Sequence, residues 1–438
     1  MGGIELVALT GILVSFLAFY PGWMSNDSAA QYAQAIIGQY NDWHPVLMAW
    51  WWRQLDHIYS GPALLLLQSI LLYWGAFYYF AKSHEYRSLL AAWMLVAVGF
   101  LPSLLLPVGQ IWKDVVFATT MMFVFALLRH YNARASVPGW GARLMMAALI
   151  VLAVGSKING AVALPFLFGY WLHVESPAMP IKKKTIYSLL LSAAAFLAPN
   201  LLVDKSKVST AHGFQYTQLH DLLGISVRTG QILLPDYVVE RTKLTPETAK
   251  VYYSPNSNNW LYFAVAGPLT TQNANELQDL DRRWHSALRK YPLVYLQHRV
   301  GVLAAVLRLG ETAPAWVVVM DPSHLSNPPL YSFHDNEISR LLKRSVSNLR
   351  WLYLPWVYLL VIVASAVVAI WRRNEGGMFA LMLCGTALAF VAPHLLVAPA
   401  DDYRYLYFSY FCAVFAGMDL TAQVMRRSAD QHCQLAGT

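Results

Sequence analysis

Runs of close to 20 mostly apolar residues recur along this chain of 438 residues. Coiled into a helix, each is long enough to cross a hydrocarbon core about 30 Å thick. Only 13% of the residues are charged while 57% are hydrophobic, against about 25% charged in a typical soluble domain, so the apolar excess is expected to face lipid. The chain reads as an all-α polytopic membrane protein with about ten transmembrane helices. They are expected at 4–20, 61–81, 88–106, 115–129, 143–156, 159–174, 185–203, 352–371, 378–398 and 405–424. The first run lacks a basic leader and a small-x-small cleavage site, and is expected to be a retained helix rather than a signal peptide.

Orientation follows from the basic residues, because Lys and Arg close to span ends stay on the cytoplasmic side. With the N-terminus inside, the turns holding Lys82 and Arg87, then Arg129, Arg134 and Arg143, then Lys182, Lys183 and Lys184, then Arg372 and Arg373, and finally Arg426 and Arg427 are all cytoplasmic. Both termini are then cytoplasmic. Lys113, Lys157 and Arg404 fall against this rule, in short outer loops. The net charge of +8 is accounted for by topology and lipid headgroups, and gives no reason to invoke nucleic acid.

Three regions follow. Residues 1–203 form an N-terminal transmembrane module whose first outer loop spans 21–60, 204–350 an outer domain of mainly helical character, and 351–438 the C-terminal transmembrane helices and cytoplasmic tail. Within the outer domain, the stretch around Pro255 reads as loop and TTQNANELQDLDRRWHSALRKYP as helix. YPLVYLQHRVGVLAAVLRLG reads as an apolar helix interrupted by Gln297, His298 and Arg299, expected to lie along the membrane face rather than to cross it. The cysteines Cys384, Cys412 and Cys433 fall in two spans and the tail, so no outer disulfide framework is expected. The sequence holds no CxxC zinc pattern, HExxH, P-loop or dinucleotide fingerprint, and no evident internal repeat.

The stretch PGWMSNDSAAQYAQAIIGQYNDWHP follows the first run. Ser25, Asn26, Asp27 or Ser28 could cap a helix over about 29–39, and Asn26-Asp27-Ser28 also fits a glycosylation acceptor. Asp27 reads either as part of that cap or as a general base or electrostatic anchor at the membrane surface. Lys113, Lys157 and Arg404 are the cations that could offset the rise that lipid imposes on a carboxylate pKa.

This loop, together with GQIWKDVVFA after the third span, SKING between the fifth and sixth, and DDYRYLYF before the last, resembles the polytopic glycosyltransferases of the GT-C superfamily. The resemblance covers most of the chain in architecture. It implies transfer of a hexose or pentose from a polyprenyl-phosphate or polyprenyl-diphosphate donor, with inversion, to a cell-envelope glycan or glycolipid acceptor. The active site would face the periplasm of a bacterial inner membrane. Carried over by position, Asp27 is the acid that accepts or orients the acceptor hydroxyl, and Asp114 a second catalytic acid. Lys113 stands where other members have a paired acid, which weakens the case for a divalent cation such as Mg or Mn, since such ions need several converging carboxylate oxygens. Lys113 could instead neutralise the donor phosphate.

Each remaining residue has two readings. Trp112, Lys113 and Asp114 serve the donor or form an interfacial anchor. Lys157 and Asn159 bind the donor phosphate, or Lys157 pairs with Asp114 or Asp401. Within Asp401, Asp402, Tyr403, Arg404 and Tyr405, Arg404 holds phosphate oxygens and a tyrosine packs on the sugar, or the segment is an aromatic belt with an Asp–Arg pair. His44 bonds the phosphate or fixes the turn. Trp260, Trp284 and Trp316 stack on sugars or belong to a core. A flippase for lipid-linked sugar, or an O-antigen polymerase or ligase, is the alternative function; the first would call for ionisable residues inside the spans rather than at their outer ends.

Overall fold

The computed structural model of the protein describes residues 2–85, 89–260, 268–311, 314, 316–318, 335–372 and 377–436. Arg87 and Arg373 lie outside the described residues, as do the side chains of Arg372, Arg426, Arg427 and Cys433. The fold is all-α, with strand confined, among the described residues, to the two-residue parallel pair β1 (Tyr40–Asn41) and β2 (Val208–Ser209). The first half of the chain runs α1 Gly3–Phe19, α2 Asn26–Ile37, α3 Val46–Asp56, α4 Ala63–Glu85, α5 Leu89–Ala97, α6 Pro102–Leu105, α7 Lys113–Ala133, α8 Trp140–Ser156, α9 Leu164–Glu175 and α10 Ile181–Leu197. The segment 204–350 holds α11 Gln215–Thr229, α12 Asp236–Thr242, α13 Pro246–Tyr252, α14 Ala274–Lys290, α15 Pro292–Val306 and α16 Glu337–Asn348. The chain closes with α17 Pro355–Arg372, α18 Gly377–Val391, α19 His394–Val397 and α20 Tyr407–Ala436.

A helix lies over each of the ten expected spans, but the expected count of about ten is not met. Among the described residues, four helical stretches are long and apolar enough to cross a membrane alone: Ala63–His84, Lys113–Ala133, Gly377–Val397 and Tyr403–Met425. A fifth is counted if the pair Ala92–Phe100 and Pro102–Gly109, bent by 58°, acts as one span. The rest fall short because apolar runs are not unbroken helices. Proline at the first turn of a segment ends the helix before it: Pro102 and Pro107 break the third run, Pro165 leaves α9 with 12 residues, and Pro199 turns the end of α10 into a 3₁₀ turn. At 1.5 Å per residue, α9 is about 18 Å long, and the 17-residue α1, α8 and α10 about 25 Å.

The burial pattern suits helices in lipid. On α1, Leu6, Leu9, Leu13 and Leu17 form one stripe and are each more than half exposed. Leu189, Leu190 and Leu197 on α10 and Leu360, Val367 and Ile370 on α17 also point outward. Polar residues, by contrast, are drawn inward. α7 is the central post, buried along nearly its whole length and packed on α4, α8 and α20. At one end of this bundle lie the pairs Lys82–Glu5 and Arg143–Glu175, and buried Asp419 held by Arg129 and His84. The starts of α7 and α20 and the end of α8 meet at the other.

The segment 204–350 has a core of its own, in which Leu219, Leu222, Leu223, Val238 and Leu280 are fully buried. Trp260 belongs to that core, Trp284 is half-buried beside it, and Trp316 is exposed. α15 turns Leu293, Leu296 and Val300 outward and buries His298, Arg299 and Val302. It is not among the helices long and apolar enough to cross. Of the polar interruption in that helix, His298 and Arg299 face protein, where Asp221 meets them, while Gln297 is exposed.

Candidate functional site

Asp27 is placed by a set of backbone and hydroxyl bonds that lock the first loop to the entry of α7. Trp23 N–H donates to the Gly109 carbonyl at 2.7 Å, and Ile111 N–H donates back to the Trp23 carbonyl at 3.0 Å. Ser25 caps α2 and shares a capping box with Ser28. The Ser28 hydroxyl also donates to the Ile111 carbonyl at 2.8 Å, and the Trp112 indole N–H to Ser25 Oγ at 3.0 Å. The cap is therefore Ser25, α2 begins three residues earlier than expected, and Asp27 in its first turn is free to point at other groups.

A cation and an imidazole meet it from distant parts of the chain. Arg404 Nη1 donates to Asp27 Oδ2 at 2.6 Å and Arg404 Nε to Asp402 Oδ2 at 2.7 Å. The same guanidinium lies over the Trp112 ring, 4.9 Å from its centroid. On the other side, His44 Nε2 stands 3.6 Å from Asp27 Oδ1, and His44 Nδ1 is 3.0 Å from Lys113 Nζ. An ammonium can only donate, so Nδ1 is the acceptor and the neutral imidazole carries its hydrogen on Nε2, directed at Asp27. Burial, aided by the charges of Lys113 and Arg404, outweighs Asp27 and holds the His44 pKa below its ordinary value. The ring is accordingly neutral at pH 7. Burial pushes the Asp27 carboxyl up, but His44 and Arg404 together overcome it and hold the group well below the usual carboxylate range.

The SKING turn supplies the remaining charge. Lys157, at the end of α8, pairs with Asp114 at the start of α7, both almost fully buried, and its ammonium lies 5.2 Å from the centroid of the Phe390 ring. The sequence left that pairing open as one of two readings; the geometry contains it. Asp114 Oδ2 is buried without a hydrogen-bond partner. It lines a cavity of about 240 Å³ together with Lys113, Lys157, Asn159, Pro45 and Tyr405. A second, larger cleft of about 390 Å³ adjoins it, sharing Pro45 and Ile158. Its walls include Leu47, Val154, Phe196 and Val203, with His44 and Lys205 among its few polar groups.

Of the ten residues singled out in sequence, eight are thus gathered at one end of the bundle: Asp27, His44, Lys113, Asp114, Lys157, Asn159, Asp402 and Arg404. Two are placed elsewhere. The Tyr403 ring is buried and its hydroxyl donates to the Ser103 carbonyl at 2.9 Å, so Tyr405, not Tyr403, faces the cavity. Asp401 turns to the segment 204–350, where Arg308 Nη1 donates to its Oδ2 at 2.5 Å and its own N–H donates to the Asn256 carbonyl at 3.0 Å. Burial pushes the Asp402 carboxyl up to about 6, with the charges of Asp114 and Asp27 adding to it against the opposing Arg404.

Several contributors were not singled out as site residues in the sequence. Arg308 and Arg299 grip the loop that carries Arg404, the latter through a 3.0 Å bond from Nη1 to the Ala398 carbonyl. Arg299 is in turn held by Asp221, at 2.7 Å, which also takes hydrogen bonds from His298 and the Trp284 indole. His394 lies beside Tyr405, ring centroids 6.2 Å apart and planes tilted by 33°. The only sign of Arg299 was a charge inside an apolar run.

A divalent cation here would have to draw on Asp27, Asp114 and Asp402. Each is already paired with a cation, Asp27 and Asp402 with Arg404 and Asp114 with Lys157. Among the described residues no group of three or more His, Cys, Asp and Glu comes together in a way that could hold a metal ion. The donor set does not suit a hard cation, which needs several converging oxygens. Compared with family models, with curated proteins and with solved structures, the chain finds no match in any of the three.

Proposed function

We propose that the protein is a membrane glycosyltransferase that moves a sugar from a polyprenyl-phosphate carrier to a cell-envelope glycan or glycolipid. The observation that carries this reading is the convergence of four separate parts of the chain: Lys113 and Lys157 line a small cavity beside an apolar cleft, and Asp27, paired with Arg404, is joined to Lys113 through His44. A lipid-linked sugar phosphate has a matching division into a compact anionic head and an apolar tail.

The reaction asks for three things: an activated acceptor hydroxyl, a stabilised leaving phosphate and alignment of the two. Asp27, ionised throughout the physiological range, orients the acceptor hydroxyl. It takes that proton as the new C–O bond forms and the bond from the anomeric carbon to phosphate breaks. Displacement from the face opposite the phosphate inverts the anomeric centre. Lys113 and Lys157 receive the charge that returns to the lipid phosphate, and the unpartnered oxygen of Asp114 is an acceptor for a sugar hydroxyl. The 390 Å³ cleft is assigned to the first part of the lipid chain.

In this reading the shorter apolar helices also sit in the bilayer, which gives about ten crossings of a bacterial inner membrane. Both termini are cytoplasmic, and the site opens to the periplasm. Support comes from Lys82, Arg129 and Arg143 at the end of the bundle remote from the site.

The test mixes purified protein, or its Asp27→Asn form, with polyprenyl-phosphate sugars and an envelope glycan extract and follows transfer by mass spectrometry. Wild type is expected to transfer, and the variant, folded and still binding donor, to be slowed at least about a hundredfold, within the range of general-base catalysis. Wild type that consumes no donor but carries it across vesicles would establish a flippase instead.

A further inference from the structure

We infer that Arg308 is a positioning residue for the transfer step: through Asp401 and the turn that follows, it fixes where Arg404 holds Asp27. In this way the segment 204–350 governs the rate of transfer and not affinity for the donor. The inference rests on the glycosyl-transfer reading and adds to it a residue remote from the cavity.

The end of α15 gives the first indication. Leu309 N–H donates to the Ala304 carbonyl and Arg308 N–H to the Ala305 carbonyl, each at 2.9 Å. This pair of bonds marks a helix ending in which the residue at position 308 turns left-handed and is usually glycine. Arg308 takes that conformation, with a φ of 55°, although an L side chain is disfavoured there. Such strain persists only where the surroundings over-determine it. Here the buried guanidinium accounts for it, donating from Nη1 to Asp401 Oδ2 at 2.5 Å, with Nη2 3.5 Å from Glu311.

Asp401 passes that hold to the site. Its N–H is fixed by the Asn256 carbonyl and, three residues earlier, the Ala398 carbonyl is fixed by Arg299. From Asp402 onward the chain is a closed 3₁₀ turn. Asp402 Oδ1 accepts the Arg404 N–H at 3.2 Å, its carbonyl accepts the Tyr405 N–H at 3.1 Å, and its Oδ2 takes Arg404 Nε. A shift at Asp401 is therefore carried to Arg404, and by Arg404 to Asp27. Tyr403 anchors the same turn to the bundle, its ring buried and its hydroxyl on the Ser103 carbonyl. Arg308 is the charged anchor on the other side. Without it the Asp401 carboxylate, only 5% exposed, loses this cation and is driven towards water, taking the turn with it.

The experiment compares wild type with the double variant Arg308→Gly, Asp401→Asn, each as the full chain in detergent. Glycine suits the left-handed position and asparagine removes the stranded charge, so the melting temperature is expected to stay close to that of wild type. Single-turnover transfer from the polyprenyl-phosphate sugar that wild type consumes is expected to slow at least about tenfold, within the hundredfold that a misplacement of about 1 Å can cost. Calorimetry is expected to show affinity for the same lipid changed by less than about threefold, which separates chemistry from binding. Arg308→Lys, which keeps the charge, should retain more of the rate, and Glu311→Gln should leave rate and affinity unchanged. Asp401→Asn alone keeps the backbone bonds of the loop and should slow transfer by a smaller factor, which decides the matter where the double variant fails to fold. A folded double variant, or Asp401→Asn in its place, that transfers at the wild-type rate would overturn the inference and leave glycosyl transfer standing. A loss of rate matched by an equal loss of donor affinity would overturn it as well. Wild type that transfers no sugar would overturn both.

Discussion

Arg404 holds Asp27 across 377 residues of chain, its Nη1 2.6 Å from Asp27 Oδ2, and through Nε it holds Asp402 as well. One guanidinium therefore bridges two part-buried carboxylates and, lying over Trp112, ties them to the start of α7. Its removal leaves both without their cation. Arg404→Ala is expected to destabilise the protein by about 2–3 kcal/mol, less than the loss for a fully buried pair because solvent reaches this one. Arg404→Lys, which keeps the charge but not the planar fork, should fall between. Thermal unfolding in detergent measures this, and an Arg404→Ala form melting with wild type would contradict the bridging role.

The Asp402 carboxyl makes stability depend on pH in a definite direction. Its pKa is pushed up to about 6 in the fold by burial, while the unfolded chain titrates near 3.9. Between those values the folded state binds more protons than the unfolded, so the contribution of this carboxyl to stability is largest below about pH 4, declines as pH rises through about 6, and is flat beyond. Asp402→Asn should abolish that slope. Melting temperatures of the two forms between pH 4 and pH 8 decide the point, and parallel curves would refute it.

Asp221 and Arg299 make a third prediction, away from the cavity. Both side chains are fully buried. Truncation of Arg299 to Met leaves a carboxylate in a dry core with only His298 and Trp284 as donors, at an expected cost of about 3–5 kcal/mol. The double variant Asp221→Asn, Arg299→Met removes the stranded charge and should recover part of the loss. A double-mutant cycle reads this directly. Additive losses would mean that the two are not coupled.

The parts of the site that could be read from the sequence were those where a charge breaks an apolar run. Lys113 and Lys157 stood out because a cation at an outer span end needs a partner, and Asp27 and His44 because they directly follow the first run. Helix lengths were harder to read, because Pro102, Pro165 and Pro199 cut runs that hydropathy alone joins. In the 3₁₀ turn Tyr403–Leu406, successive side chains diverge. Nothing local distinguishes Tyr403, which enters the core, from Tyr405, which faces the cavity. The pairing of Asp401 with Arg308 depends on how α15 packs on the loop after α19, and that is tertiary information.

His44 allows binding and catalysis to be separated. Its Nδ1 accepts from Lys113 and its Nε2 hydrogen points at Asp27, so the two halves of the ring serve different partners. An asparagine places its carbonyl near the Nδ1 position and has nothing to reach Asp27. A glutamine can place its amide N–H near the Nε2 position and leaves Lys113 without its acceptor. If Lys113 binds the donor and Asp27 acts on the acceptor, His44→Asn should keep donor affinity within a few-fold and lower kcat by about a hundredfold, in the lower part of what general-base help supplies. His44→Gln should do the reverse, weakening donor binding about tenfold with a smaller loss of kcat. Calorimetry gives the first quantity and single-turnover transfer the second, which keeps binding distinct from chemistry. Equal effects of the two substitutions on both quantities would show that His44 only fixes the turn between α2 and α3.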